Sequence, residues 1–299
     1  MNSLKASFGR HETFILRYGW LTKGFQAFEE DNAIFTNDAS TIKLGVGKNM
    51  VNAIRYWLRA AQLLEDRDQG LVTTALGQLL LGKKGLDPFL EDEATLWLIH
   101  WLIATNAELA TAWYWFFNCF HKAEFTLQEA SDNLADFVRQ QFGDKHSEKT
   151  VRLEISIITR MYCQGLQTVK TDLEELLDAP LIDLRLITSD NTHFYRSLGD
   201  ERPSIPIDLI GFALNELFAM QKRNVIPVNQ LMYGDNYSVG IGSVFRLTES
   251  SLLAKLEHLV QRYPNVFRLD ETAGLNQLYQ LDSSCSSLSF LQRHYTITE

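Results

Sequence analysis

Lys48, Asn52, Arg55, Arg59 and Gln62 step along the chain by four, three, four and three residues, the spacing that places side chains on one face of a helix. Cations and amides on such a face can contact phosphates and base edges. Met50, Val51, Ile54, Trp57, Leu58 and Ala61 take the complementary positions and should face a core. Upstream, a shorter helical segment carrying Lys43 ends at the glycine-bracketed turn Gly45-Val46-Gly47, and Lys48 and Asn49 open the long helix. From Ala39 to Leu64 there are four cations (Lys43, Lys48, Arg55 and Arg59) and no acid, in a chain of formal net charge -9. The pattern reads as a helix-turn-helix whose second helix could lie in a nucleic-acid groove.

Other groups offer other chemistry. Gly45, Gly47 and Lys48 also resemble a phosphate loop, because glycines ahead of a helix N-terminus let backbone amides approach an anion. The spacing departs from a Walker A loop: Ile42 stands where its first glycine belongs, Asn49 replaces Ser or Thr, and no strand precedes the turn. No nucleotide is expected. A DNA phosphate at the helix start uses the same physics, and a structural turn before an amphipathic helix is the plain alternative. His11 beside Glu12 could serve acid/base or metal chemistry, or form a surface hydrogen-bonding pair. Asp87, Glu91, Asp92 and Glu93 cluster in sequence, as do Asp172, Glu174 and Glu175. Phosphodiester cleavage uses carboxylates that converge on cations, but these acids read more naturally as turn and helix-start residues that complement helix dipoles. Catalytic residues and metal ligands stay unassigned.

The elements that must position the basic face follow from periodicity. A first helix runs through Phe25 and Phe28, with Gly19 weakening its start. The helix-turn-helix follows, then a charged turn from Glu65 to Gly70, a β-like segment at 71–74 and a helix to about Leu81. Asp92 to Phe120 is rich in Trp, Tyr and Phe and should form two core helices divided at Asn106; without interleaved cations it reads as packing rather than a base-stacking platform. Thr126 and Glu129 form a capping box for a helix to about Phe142, and Ser147 caps the next, which reaches about Cys163. Segments 184–188 and 192–196 read as a hairpin. After a boundary near Arg202–Pro206, a helix spans 207–223, Val244–Leu247 reads as a strand, and Thr248 caps a helix to about Tyr263. A hairpin over 266–281 follows. Lys255 and Arg262, one heptad apart on that helix, would add a second basic contact.

Composition sets the outer bounds. A 299-residue chain with 45% hydrophobic and 22% charged residues suits a globular protein of two or three small domains. The acidic balance confines nucleic-acid contact to local patches. Cys119, Cys163 and Cys285 are odd in number and widely spaced, which fits neither a zinc site nor a disulfide framework and suits a reducing cytoplasm. The first residues lack the apolar core of a signal peptide, and the apolar run 96–104 is about half the ~20 residues of a membrane span.

Gly9-Arg10-His11-Glu12-Thr13-Phe14, Leu16-Arg17-Tyr18-Gly19-Trp20-Leu21, Leu44-Gly45-Val46-Gly47-Lys48-Asn49-Met50-Val51 and Ile54-Arg55-Tyr56-Trp57 carry a likeness that continues through Leu90-Glu91-Asp92, Thr95–Leu98 and Trp113–Asn118. On these motifs the chain resembles a bacterial family of proteins of unknown function, and the resemblance covers most of its length. Genes of that family resemble components of DNA phosphorothioation clusters, beside a cysteine desulfurase, an ATPase and a sulfurtransferase-like protein. The resemblance implies a DNA-binding component of a phage-defence system, similar to the nickase of single-stranded (Ssp) DNA phosphorothioation systems. Nicking would use Mg2+ or Mn2+. It carries over no catalytic residues.

The expectation is therefore a mainly α fold with short β-hairpins. Winged-helix-like modules lie at the N- and C-terminal ends, joined by a helical middle region, with boundaries at 1–122, 123–203 and 204–299. The DNA-binding residues are Lys43, Lys48, Asn49, Asn52, Arg55, Arg59, Lys255 and Arg262. The partners to be tested are double-stranded DNA, the other phosphorothioation proteins and a second copy of the chain as a homodimer, with no membrane. A non-enzymatic DNA-binding adaptor or transcriptional regulator is the alternative.

Overall fold

Apolar residues recurring at helical spacing make helices carry most of this chain, with short strands between them. The computed structural model describes residues 5–37, 39–164, 178–189, 193–235, 237–272 and 274–297. Asp172, Glu174 and Glu175, the residues Asp190 and Asn191 between the two hairpin segments, and Asp38 lie outside the described residues. The elements divide into two compact units: Met1–Phe116 with Lys122–Leu198, and Phe117–His121 with Gly199–Glu299.

The first unit begins with α1 (Tyr18–Glu30), α2 (Ser40–Leu44) and α3 (Lys48–Ala60), then the antiparallel hairpin β1 (Leu64–Arg67) and β2 (Gly70–Thr73), and α4 (Ala75–Leu81). Of the charged segment expected to be a turn, Glu65–Arg67 belong to β1 and pair with β2, and only Asp68 and Gln69 form the turn. Next come α5 (Glu93–Ala104) and α6 (Thr111–Asn118), whose last turn groups with the second unit. Every residue from Ala94 to Ala104 is buried, so the apolar run is a core helix. Asn106 separates the two helices: its amide donates to the Ala60 carbonyl at 3.1 Å and its oxygen accepts from the Leu109 amide at 3.1 Å.

The unit continues with β3 (Glu124–Thr126), α7 (Leu127–Phe142), α8 (Glu148–Tyr162), β4 (Cys163–Gln164), β5 (Ile187–Ser189) and β6 (Phe194–Arg196), whose strands pair in the order β3-β6-β5-β4. Thr126 caps α7, accepting from the Glu129 amide at 3.1 Å. The Glu129 carboxylate pairs with Lys122 and in turn accepts from the Thr126 backbone amide, which completes the capping box; both hold its pKa below the usual value. Residues 180–184 form a 3-10 turn, so the hairpin strand starts only at Ile187.

The second unit contains α9 (Ile207–Gln221), β7 (Val225–Pro227), α10 (Val228–Tyr233), α11 (Ile241–Phe245), α12 (Glu249–Arg262), β8 (Phe267–Thr272), β9 (Leu275–Gln280) and α13 (Ser287–Ile297). The sheet order is β7-β9-β8. Val244 and Phe245, expected in a strand, end α11 instead, and left-handed Arg246 stops that helix. Arg246 is buried and donates to the carbonyls of Phe117 at 3.0 Å, Ser243 at 2.7 Å and Phe120 at 3.3 Å. Burial, with Arg202 adding, lowers its pKa to about 10. The α9–α13 crossing depends on Gly211, where a Cβ would meet the Phe290 ring at 2.6 Å.

Inside the first unit lies a buried polar pair. His11 and Glu154 are each 2% exposed, and His11 Nε2 lies 2.9 Å from Glu154 Oε2. The Thr13 amide donates to His11 Nδ1 at 3.1 Å, which leaves the ring proton on Nε2 facing the carboxylate. Glu154 Oε1 accepts from the Gly9 amide at 2.6 Å. This replaces the surface His11–Glu12 pair: the real partner is 143 residues away. Gly9, Glu12 and Thr13 all have positive φ, the backbone geometry that turns the segment inward. Glu154→Ala orphans both the imidazole N–H and the Gly9 amide. It should destabilise the protein by about 3–5 kcal/mol, read as a fall in the denaturant midpoint; a loss under about 1 kcal/mol would show the pair to be expendable.

Candidate nucleic-acid interface

The basic helix α3 is oriented by what its other side must bury. Gly24 on α1 admits it closely, since a Cβ there would fall 2.4 Å from Ile54 Cγ2 and 2.9 Å from Leu58 Cδ1. Trp57 donates its indole N–H to the Phe14 carbonyl at 3.2 Å, stacks on His11 at 6.1 Å and meets the Trp113 ring edge-on at 5.2 Å. Tyr56 donates to the Leu109 carbonyl at 3.0 Å. Burial, reinforced by Glu154, raises its phenol pKa well above the usual value. These contacts set the rotation of α3 about its axis.

The opposite side then faces outward. Lys48, Asn49 and Asn52 are exposed, and Arg55 is half-buried with an Nε that has no hydrogen-bond partner. The entry is a turn built on glycine geometry. Gly45 is left-handed at φ 61°, and the amides of Gly45 and Val46 return to the carbonyls of Ile42 at 3.3 Å and Thr41 at 3.2 Å, closing α2. Gly47 then starts α3 without a side-chain cap or an acid in the first turn. Its first amides remain available to an anion, and Lys48 stands beside them.

Two expected contacts are already engaged. Arg59 pairs with Asp66 from β1, an acid just beyond the acid-free stretch. Lys43 lies 3.4 Å from Asp31, an exposed pair that contributes little. Gln62, placed on the outer face by spacing, instead donates to the Leu102 carbonyl at 3.0 Å. Spacing alone misses Lys23 of α1, whose ammonium lies where a Cβ on Gly45 would come within 3.5 Å. Among the described residues, Lys23, Lys48, Arg55, Lys83 and Lys84 have no carboxylate within ion-pair distance. Residues 1–86 carry eleven Lys/Arg against eight Asp/Glu, the reverse of the whole chain.

In the second unit, Lys255 is only 8% exposed, and its ammonium donates to the Ile205 carbonyl at 3.2 Å. Burial lowers its pKa. Lys255 is therefore withdrawn from any DNA surface, because its place on α12 puts it on the inner side. Arg262 is exposed but pairs with Asp208 at 2.8 Å and lies 5.8 Å over the Tyr263 ring. Asp87, one of the clustered acids, is a buried cap: it accepts from the amides of Glu91 at 2.9 Å and Asp92 at 3.0 Å and from the Thr95 hydroxyl at 2.5 Å. Among the described residues, no group of three or more His, Cys, Asp or Glu side chains could hold a metal ion. No helix among them is long and apolar enough to cross a membrane.

Residues 8–295 match the family described as "Protein of unknown function (DUF4007)". The chain belongs to that family. Its fold is also similar to two solved structures. One, titled "SspB crystal structure", is 28% identical with a TM-score of 0.86, covering 98% of this chain and 90% of that one. The other, titled "Magnesium ion-bound SspB crystal structure", is 28% identical with a TM-score of 0.85, covering 97% and 88%. No curated protein matches the chain. The matched span includes the inward-turned Gly9–Phe14 segment and α3.

The placement of Lys255 has a direct check. Lys255→Glu would set a buried carboxylate against the Ile205 carbonyl and should destabilise the protein by about 2 kcal/mol or more in urea unfolding. A change within about 0.5 kcal/mol would return Lys255 to the surface.

Proposed function

We propose that this DUF4007 protein is the DNA-binding component of a bacterial DNA phosphorothioation and phage-defence system, and that it nicks one strand of double-stranded DNA to admit sulfur. The observation that carries the proposal is the likeness to SspB over almost the whole chain. The outward face of α3, with Lys48, Asn49, Asn52 and Arg55, supports DNA as the ligand. Lys48 and the helix start would take a phosphate, while Asn52 and Arg55 reach toward base edges.

Element order supports a winged-helix reading at both ends. In the N-terminal segment, 1–122, three helices precede the β1–β2 hairpin. In the C-terminal segment, 204–299, the order β7-β9-β8 places the hairpin after α12, as a wing follows its recognition helix. Segment 123–203 joins them. Mg2+ or Mn2+ is the cation proposed for cleavage; one similar structure is of SspB bound to magnesium. The described residues do not gather an acidic ligand set, so no residue is assigned to the ion and no step is written through it. The partners proposed are the ATPase, the sulfurtransferase-like protein and the cysteine desulfurase, together with a second copy of the chain.

Purified protein should convert supercoiled plasmid to open circles in Mg2+ or Mn2+ and leave it supercoiled in EDTA. Firm binding without relaxation would assign a non-enzymatic adaptor or regulator instead, and absence of binding would remove DNA altogether. Lys48→Glu with Arg55→Glu should weaken DNA binding by about tenfold or more and lower the salt slope by about one, because the Lys48 phosphate contact and its released counterion are lost together with the Arg55 base contact. Unchanged affinity at low salt would refute the α3 assignment.

A further inference from the structure

The turn Asp87-Pro88-Phe89-Leu90 holds a phenylalanine out of the protein. Phe89 is 64% exposed, although its neighbours Asp87 and Leu90 are buried. The turn is rigid by construction. Pro88 follows Asp87, the Leu90 amide returns to the Asp87 carbonyl at 3.4 Å, and Leu90 is left-handed at φ 57°. The Asp87 carboxylate binds the two amides beyond the turn and the Thr95 hydroxyl. From the other side, Thr22 of α1 donates to the Pro88 carbonyl at 2.5 Å. An apolar ring displayed by such a frame costs little further ordering when it binds.

The position of the ring indicates its partner. Thr22 and Gly24 lie about 200° apart around α1. One meets the Phe89 turn and the other meets α3. Exposed Lys23 lies between them and reaches Gly45 at the entry to α3. Lys83 and Lys84 are exposed just before the Phe89 turn. The turn thus has exposed lysines on the segment that enters it and on α1 next to the threonine that it packs against. Glu91 and Glu93, exposed on the segment that leaves the turn, repel phosphate. The backbone is thereby favoured on the lysine side, and a base is left to face the ring.

We propose that Phe89 is a stacking wedge for an unpaired or unstacked nucleobase, so that this surface prefers DNA opened or kinked at the contacted step. Exposed aromatics in other proteins bind single-stranded bases or pry steps apart in this way. The proposal rests on the DNA-binding reading above and adds the kind of DNA preferred.

The test compares a labelled duplex with the same duplex carrying a central unpaired thymidine stretch. A 2-aminopurine in the opened region reports stacking by its fluorescence. Wild-type protein should favour the opened duplex and quench the probe. Phe89→Ala should melt like wild type, since the ring is exposed. It should lose about tenfold on the opened duplex and the quenching with it, while the closed duplex stays within about twofold. Phe89→Trp should restore both signals. If Phe89→Ala matches wild type on both DNAs while Lys48→Glu weakens both, the wedge is overturned and the DNA reading stands. Equal losses on both DNAs would also overturn it, because a stacking contact acts on the open base. If the wild-type protein binds neither DNA, the DNA reading itself falls.

Discussion

The burial of His11 against Glu154 is the constraint on which the first unit depends. Two polar side chains inside an aromatic core are tolerable only if each heteroatom finds a partner. Nε2 faces Glu154, Nδ1 accepts from Thr13, and the second carboxylate oxygen accepts from Gly9. Satisfying all three goes with left-handed backbone at Gly9, Glu12 and Thr13 and ties the segment to α8. Tyr56, Trp57 and Trp113 then close around the imidazole. Trp57 and Tyr56 belong to α3, so the same cluster that hides the pair also sets which side of α3 meets solvent.

That orientation gives the basic residues their meaning. The chain is acidic overall, yet its first 86 residues are net basic, and α3 presents an outer side with no acid of its own. Cations on a rigid helix can be held at fixed spacing against a polyanion, which loose lysines on loops cannot do. The unpartnered Arg55 Nε fits the same picture, since Arg55 carries no carboxylate to neutralise it. Arg59 shows the converse: one acid from β1 is enough to take a residue of identical periodicity out of contention. The 28% identity to the SspB structure spans both units, so the likeness is not confined to this helix.

Much of this was legible in the residues. The helix-turn-helix around Gly45–Gly47, the buried run from Ala94, the Thr126 and Thr248 caps and the last hairpin all depend on neighbours in sequence, and all lie where periodicity puts them. The errors have a shared cause. Val244-Phe245-Arg246-Leu247 has the apolar content of a strand, but Gly242 packs against Met232 and the buried guanidinium of Arg246 bonds three carbonyls, which favours a short helix and a left-handed stop. Lys255 is polar by type and buried by place.

Sequence by itself determined the helical class, the positions of most helix starts and a basic face on α3, because these follow from interactions within about one or two helical turns. Tertiary structure alone decided which of those cations remain free. Arg59, Lys43 and Lys255 were engaged by partners on other elements, while packing brought Lys23 of α1 to the α3 entry and seated the Phe89 turn against Thr22. The reason is physical. Periodicity fixes the direction of a side chain relative to its own helix, whereas its charge balance and exposure depend on residues distant in the chain and close in space.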